Sequence, residues 1–236
     1  MTAAQAQHRT MNVVNRSNPC AGRFGALYSY YIEREWLARL IGRLAWGVDT
    51  APLYRSLDEV RFVREGGTIL DVPCGSGLAL RALEQGQNVH YLAVDIDPTM
   101  LGRAARRAEE RGLSQVNCLR ADASRLPIAD EIVDLCISHG GLHCFSRPAA
   151  ALEQTARCLR PGGHLVGTTF VRPGTRRQRM LFRGERRRTG LPELWTEAEL
   201  TEQLRVAGFA SVRLRSRRGY AFFRATKPGA AREPAR

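Results

Sequence analysis

The chain has 236 residues, of which 44% are apolar and 25% charged, with a formal net charge of +13. That length suits one sizeable α/β domain with an accessory segment, and the composition is that of a globular protein rather than a disordered or fibrous one. No apolar run approaches the roughly 18 residues of a membrane-spanning helix, and the opening stretch MTAAQAQHRTMNVVNRSNPC lacks the apolar core of a signal peptide, which points to a cytoplasmic protein.

The charge is uneven. From Arg172 onward there are 17 basic and 6 acidic residues, a surplus of 11, whereas everything before carries a surplus of only 2. Such a tail invites a nucleic-acid or membrane reading. Against it, 35 of the 36 basic residues are arginine, with Lys227 the exception, and that bias runs through the whole chain. A solvated face or a small anionic substrate accounts for it more economically. The six cysteines, Cys20, Cys74, Cys118, Cys136, Cys144 and Cys158, form no C-x-x-C pair and read as buried reduced thiols rather than metal ligands or disulfides.

In chain order, residues 1–25 are polar and turn-rich and are expected to be disordered. A helical cap follows over 26–66. In it Ile32, Trp36, Leu37, Leu40, Ile41 and Leu44 recur at helical spacing, and Pro52 opens a second helix that Gly66 and Gly67 stop. Helical spacing suggests core packing for Trp36, while Tyr28, Tyr30, Tyr31 and Trp46 are candidates to wall a pocket. From Thr68 the pattern alternates. TILDV reads as a buried strand, LALRALEQ as a helix and VHYLAVDI as a second strand. Asp97 and Pro98 then cap a helix through TMLGRAARRAEER, and VNCLRA and EIVDLCIS follow as strands. PAAALEQTARCL reads as a helix closed by Pro161, Gly162 and Gly163, and HLVGTTFV as the fifth strand. The Arg-rich segment 172–195 breaks the rhythm and is too long for an ordinary connection. Thr196 and Glu199 form a capping box for the last helix. ASVRLRS and YAFFRAT close the chain as a hairpin, before a disordered tail at 227–236. Strands alternating with helices predict an α/β, Rossmann-like doubly wound sheet, mostly parallel, with one strand reversed by the final hairpin.

Ligands of such sheets bind at the carboxyl ends of the strands, where the strand order reverses. Gly75 and Gly77 stand in that turn, after the first strand, where glycine lets a ligand approach the backbone. A phosphate-binding loop would need a lysine that is absent, and a dinucleotide fingerprint would need a small residue where Leu80 stands. S-adenosylmethionine has no phosphates. It needs a glycine turn for its amino-acid part and carboxylates for its hydroxyls and amines. Asp71 ends the first strand, Asp95 ends the second 24 residues later, and Asp122 follows the third. A carboxylate at Asp95 can accept both hydrogen bonds of a ribose diol.

LDVPCGSG, AVDIDPTML, RADASRLPIADEIVDLCIS and ALEQTARCLRPGGHLVGTTF together resemble the successive motifs of class I S-adenosylmethionine-dependent methyltransferases, closest to the small-molecule type, over residues 68–170. The resemblance implies a seven-stranded methyltransferase domain over 67–226 with S-adenosylmethionine as cofactor. By that likeness Asp71, Gly75 and Gly77 match the glycine motif, Asp95 the ribose carboxylate and Asp122 the adenine-side acid. Ile96 and Ala123 match the residues flanking the adenine, and Ser138 joins the cofactor side. Pro73 occupies the place of the motif's usual first glycine. SHGGLHCF, after the fourth strand, is the stretch that faces the transferable methyl in this family. His139 and His143 are therefore candidates for a base or an acceptor-positioning group, and Gly140 and Gly141 either bend around a ligand or simply turn. Residues 172–195 match the place of an acceptor-covering insertion. The expected acceptor is a small apolar or aromatic metabolite such as a natural product, quinone or lipid precursor. An RNA methyltransferase, favoured by charge, lacks here the N/D-P-P-[YFW] motif after strand four. A non-catalytic cofactor-binding module is the third reading.

Overall fold

The computed structural model describes residues 32–46, 48–172 and 193–229. The expectations for residues 1–25, for Tyr28, Tyr30 and Tyr31, for the middle of the insertion and for most of the tail lie outside them, as does the side chain of Trp46. Lys227, assigned above to the tail, is held in place: its Nζ donates to Leu159 O at 2.8 Å and pairs with Glu131 at 3.1 Å.

Two short helices, α1 (Glu35–Ile41) and α2 (Ala51–Leu57), precede the sheet; α1 runs on into a π-helical turn to Trp46 and α2 into a 3-10 turn, Asp58–Phe62. Then come β1 (Gly67–Asp71), a 3-10 turn (Leu78–Ala82), β2 (Val89–Asp95), α3 (Pro98–Glu110), β3 (Val116–Arg120), β4 (Val133–His139), α4 (Pro148–Cys158), β5 (Leu159–Phe170), α5 (Glu197–Val206), β6 (Ser211–Arg217) and β7 (Tyr220–Thr226). The strands lie in the order β3-β2-β1-β4-β5-β7-β6. Pairing is parallel from β3 through β5, and β7 is antiparallel to both β5 and β6. The predicted seven-stranded sheet with a reversed hairpin is therefore the observed one, and its order reverses between β1 and β4.

Strand alternation divides the core. Ile69 and Ile137 point to the face covered by α1, α2 and α3, with Leu53, Leu57 and Ala104. Leu70 and Cys136 point to the face covered by α4 and α5, with Leu152 and Leu200. The helical cap thus shares a core with the sheet. Capping follows the sequence: Asp97 accepts from Thr99 N at 2.8 Å, and Thr196 and Glu199 form the reciprocal box. Among the described residues no helix is long and apolar enough to cross a membrane.

Three readings need correction. LALRALEQ forms only the 3-10 turn, and Arg111, the C-cap of α3, donates to its Leu80 carbonyl and to the Leu83 carbonyl just beyond it. Trp36 is not in the core. It is 68% exposed, because the buried stripe of the seven-residue α1 centres on Ala38, which leaves Trp36, Leu40 and Leu44 outside. Cys144 is disulfide-bonded, whereas Cys74, Cys118, Cys136 and Cys158 are free thiols and Cys118 is exposed.

One carboxylate closes the β1–β4 seam at the end remote from the strand carboxyl termini. Buried Asp134 accepts from Thr68 N at 2.8 Å and from Arg64 Nε at 2.8 Å, and pairs with Arg160 at 2.5 Å. Burial alone would raise its pKa, but the Thr68 amide and the two guanidiniums outweigh burial and hold it below the ordinary aspartate value. Its contribution to stability is present above that ordinary value and is lost as pH falls through the lowered one. Asp134→Ala is expected to cost about 1–3 kcal/mol at neutral pH by stranding those donors. Denaturant titrations should show the gap to wild type closing below about pH 4; a gap independent of pH would contradict this role.

Candidate functional site

The β1–β4 crevice opens on the glycine turn. Cys74 N donates to Val94 O at 2.8 Å and Gly77 N to Cys74 O at 2.9 Å, so the turn folds back on itself over the end of β2. Gly75 has φ +53° and its amide donates to Asp95 Oδ2 at 2.9 Å. Among the described residues nothing lies within 4 Å of where a Cβ at Gly75 would sit. Gly77, with φ +79°, differs: a Cβ there would meet Ala104 Cα at 3.2 Å. Gly75 leaves room for a ligand, whereas Gly77 lets α3 pack against the turn. Pro73 finds its complement across the crevice. A Cβ at Gly141 would stand 2.1 Å from Pro73 Cδ, so Gly141 makes room for the proline, while Gly140, at φ +65°, makes the turn itself.

The three aspartates stand at neighbouring strand ends, as expected, but each is already engaged. Asp71 Oδ2 accepts the Tyr91 hydroxyl at 2.8 Å, and both residues are buried. Desolvation lifts the Asp71 pKa to about 7; the Tyr91 hydrogen bond opposes the shift and the nearby Asp95 charge adds to it. Asp95 accepts the Gly75 amide on one oxygen and the Asp97 amide on the other, at 2.9 Å each, and burial raises its pKa despite both bonds. Each oxygen keeps a lone pair for a further donor. Asp122 Oδ1 accepts the amide and hydroxyl of Ser124 at 2.8 and 2.7 Å, and Arg147 lies 3.7 Å from its other oxygen. Desolvation pushes its pKa up, but the Ser124 bonds and the arginines outweigh it and the pKa is lowered. Ala123 is buried beside it. Ile96 is 39% exposed although it follows buried Asp95 directly, and Arg120 donates to its carbonyl at 3.2 Å. Ser138, near the carboxyl end of β4, is buried and its Oγ has no hydrogen-bond partner among the described residues.

The two histidines differ. Ser56 Oγ donates its one proton to Leu53 O at 2.6 Å, so it accepts from His139 Nε2 at 3.2 Å. That leaves His139 Nδ1 as an acceptor, 3.4 Å from Thr168 Oγ1. His143 Nδ1 lies 3.2 Å from Thr169 Oγ1 and accepts from Phe170 N at 3.4 Å. A backbone amide can only donate, so neutral His143 carries its proton on Nε2. Desolvation lowers both histidines to about 4, so both are neutral at physiological pH. A ladder of edge-on rings runs from His143 to Phe170 at 4.8 Å, to Tyr220 at 5.3 Å and to Phe222 at 5.1 Å. The sequence reading missed Thr168, Thr169, Phe170 and Tyr220. The signal was present in the final hairpin, because an antiparallel β7 brings its first residues to the same sheet end as the last residues of β5. The insertion is closed at its base, where Arg172 N donates to Trp195 O at 2.7 Å.

The model of the family described as "Methyltransferase domain" matches residues 70–167. The chain is 32% identical over 202 residues to the malonyl-[acyl-carrier protein] O-methyltransferase of Methylococcus capsulatus, covering 80% of this chain and 72% of that protein. It is 36% identical over 131 residues to the demethylmenaquinone methyltransferase of Thermus thermophilus, covering 55% of this chain and 59% of the other. It is 34% identical to the uncharacterized chloroplastic methyltransferase At2g41040 of Arabidopsis thaliana, over 62% of this chain, but spans only 42% of that relative's length. A putative methyltransferase structure from Bacillus halodurans superposes with a TM-score of 0.61 at 18% identity, over 74% of this chain and 98% of the other. The chain belongs to the class I S-adenosylmethionine-dependent methyltransferases.

The residues present fit that family's cofactor. The open space over Gly75, the two buried acceptors Asp71 and Asp95, and the unpartnered Ser138 hydroxyl provide a cradle and polar partners for an amino acid joined to a nucleoside. Asp95 would hold the ribose hydroxyls, Ile96 and Ala123 would flank the adenine, and Asp71 with Gly75 would face the amino-acid part. A cationic ligand beside Asp71 favours its ionised form. Affinity for S-adenosylmethionine should therefore rise as pH increases through about 7, with protons released on binding below that value. Calorimetry in buffers of different ionisation enthalpy reads the proton release directly; affinity flat from pH 6 to 8 with no release would remove Asp71 from contact.

Proposed function

We propose that the protein transfers the methyl group of S-adenosylmethionine to a small apolar or aromatic acceptor, with residues 67–226 as the catalytic domain and 172–195 as an acceptor-side insertion. The observation that carries this reading is the glycine turn at the strand-order reversal, flanked by three strand-end carboxylates and open over Gly75. Bound S-adenosylmethionine supplies an electrophilic methyl on a sulfonium. With so good a leaving group, this chain's residues mainly position the acceptor and exclude water.

The ring ladder from His143 to Phe222 supports an apolar or aromatic acceptor. Relatives named for demethylmenaquinone and for malonyl-[acyl-carrier protein] favour a quinone or lipid precursor. His143 offers an N–H donor through Nε2, which suits orienting an acceptor oxygen better than removing its proton. His139 joins α2 to β5, its Nε2–H donating to Ser56 and its Nδ1 accepting from Thr168, which suits holding the crevice walls together.

The test is a radiolabelled methyl-transfer assay across fractions of a cell extract. Label in small lipophilic metabolites is expected. Label in RNA would favour a nucleic-acid acceptor, and label nowhere a non-catalytic binding module. With an acceptor in hand and cofactor saturating, His143→Phe should raise the acceptor KM about tenfold, the loss of one hydrogen bond to a polar acceptor atom, and leave cofactor affinity unchanged. The acid limb of kcat/KM should fall near pH 4, where the histidines charge, rather than near the ordinary histidine value. An acid limb near 6.5 would assign the proton chemistry to another group.

A further inference from the structure

The glycine turn is held from two sides, and only one of them belongs to the sheet. Val94 O and Asp95 fix Cys74 and Gly75. Ser76 finds its partner in the chain that precedes the domain, and Gly77 is held through α3. Glu33 divides its carboxylate: Oε1 accepts from Ser76 Oγ at 2.7 Å, and Oε2 pairs with Arg107 Nη2 at 2.8 Å. Arg107, on α3, turns its other nitrogen to Gly77 O at 3.2 Å. Ser76 is buried, and the Glu33 and Arg107 side chains are only 28% and 27% exposed, so this pair is shielded more than an ordinary surface ion pair.

The residues on either side of Glu33 are fastened as well. Tyr54 donates its hydroxyl to Ile32 O at 2.5 Å. Glu35 reaches Arg81 Nη2 at 3.4 Å, and that guanidinium lies 4.9 Å from the centre of the Tyr54 ring. Residues 32–35 are thus tied to the turn, to the 3-10 segment after it and to α2. Glu33 itself stands 37 positions before the start of the matched family domain at residue 70.

We infer that Glu33 is a positioning residue for the cofactor: by holding Ser76 and, through Arg107, Gly77, it keeps the turn in the conformation that receives the ligand. This rests on the reading of the turn as the S-adenosylmethionine site. The coupling is reciprocal. A ligand on the turn makes the attachment of residues 32–35 tighter, and loss of that attachment weakens the ligand.

Titration calorimetry with S-adenosylhomocysteine on the full chain tests it, together with amide hydrogen exchange at Ile32–Glu35. Wild type should bind, and binding should slow exchange at those amides. Glu33→Ala should bind about tenfold more weakly. Ser76→Ala should add little on top of Glu33→Ala, because both remove the same link. Glu33→Gln, which keeps an acceptor for Ser76 but not the charge for Arg107, should fall between. A purely structural role would lower the melting temperature of the ligand-free variant without this graded, non-additive pattern in affinity. Should Glu33→Ala fail to fold, Arg107→Gln breaks the same pair from α3 and should weaken binding likewise. Wild-type affinity in the variants, with exchange at residues 32–35 indifferent to ligand, overturns the inference while leaving the cofactor site in place. A wild-type chain that binds no S-adenosylhomocysteine overturns the cofactor reading and this inference with it.

Discussion

The site depends on one buried carboxylate doing two backbone jobs. Asp95 sits at the end of β2 and accepts an amide proton from the glycine turn on one oxygen and from the start of the loop before α3 on the other. Burial opposes its charge, and the two N–H donors are what make ionisation tolerable there. With Gly75 fixed in this way, the turn presents backbone rather than side chains to the crevice. The same residue that shapes the turn keeps a lone pair on each oxygen for a further donor, so a substitution there would remove a loop anchor and the proposed diol acceptor together.

Around that anchor the crevice has a rigid floor and two differently built walls. The β1–β4 seam is pinned at its far end by Asp134, and its near end carries Asp71, Pro73 and Ser138. On one side lie the strand-end aspartates and Ile96. On the other lie neutral histidines, threonine hydroxyls and a line of edge-packed rings. Carboxylates are thus concentrated on the proposed cofactor side, and neutral imidazoles, hydroxyls and aromatic rings on the proposed acceptor side.

The sheet was legible because its signals are local. Alternating runs such as TILDV and VHYLAVDI fix β1 and β2, and the Asp97 cap and the Thr196–Glu199 box fix two helix starts within a residue. The strand-end aspartates and Gly75 could be placed because topology dictates where strand ends meet. What sequence could not show was long-range. LALRALEQ has helical propensity, yet it forms a 3-10 turn packed under Arg111 at the end of α3. Trp36 fits a helical stripe, but a seven-residue helix can turn either edge of that stripe to solvent. Gly141 could be read equally as a bend around a ligand or a plain turn, and neither reading shows that it is the space Pro73 needs. Glu33 carries no motif at all, and its link to Ser76 crosses 43 positions of sequence.

The central claim is that the glycine turn and Asp95 together form the cofactor site. A crystal structure of the protein with S-adenosylhomocysteine tests it most directly. The account predicts the ligand lying over Gly75, with both ribose hydroxyls within hydrogen-bond distance of Asp95 and its adenine against Ile96. A ligand bound elsewhere in the fold, with Asp95 still holding only its two backbone amides, would contradict it.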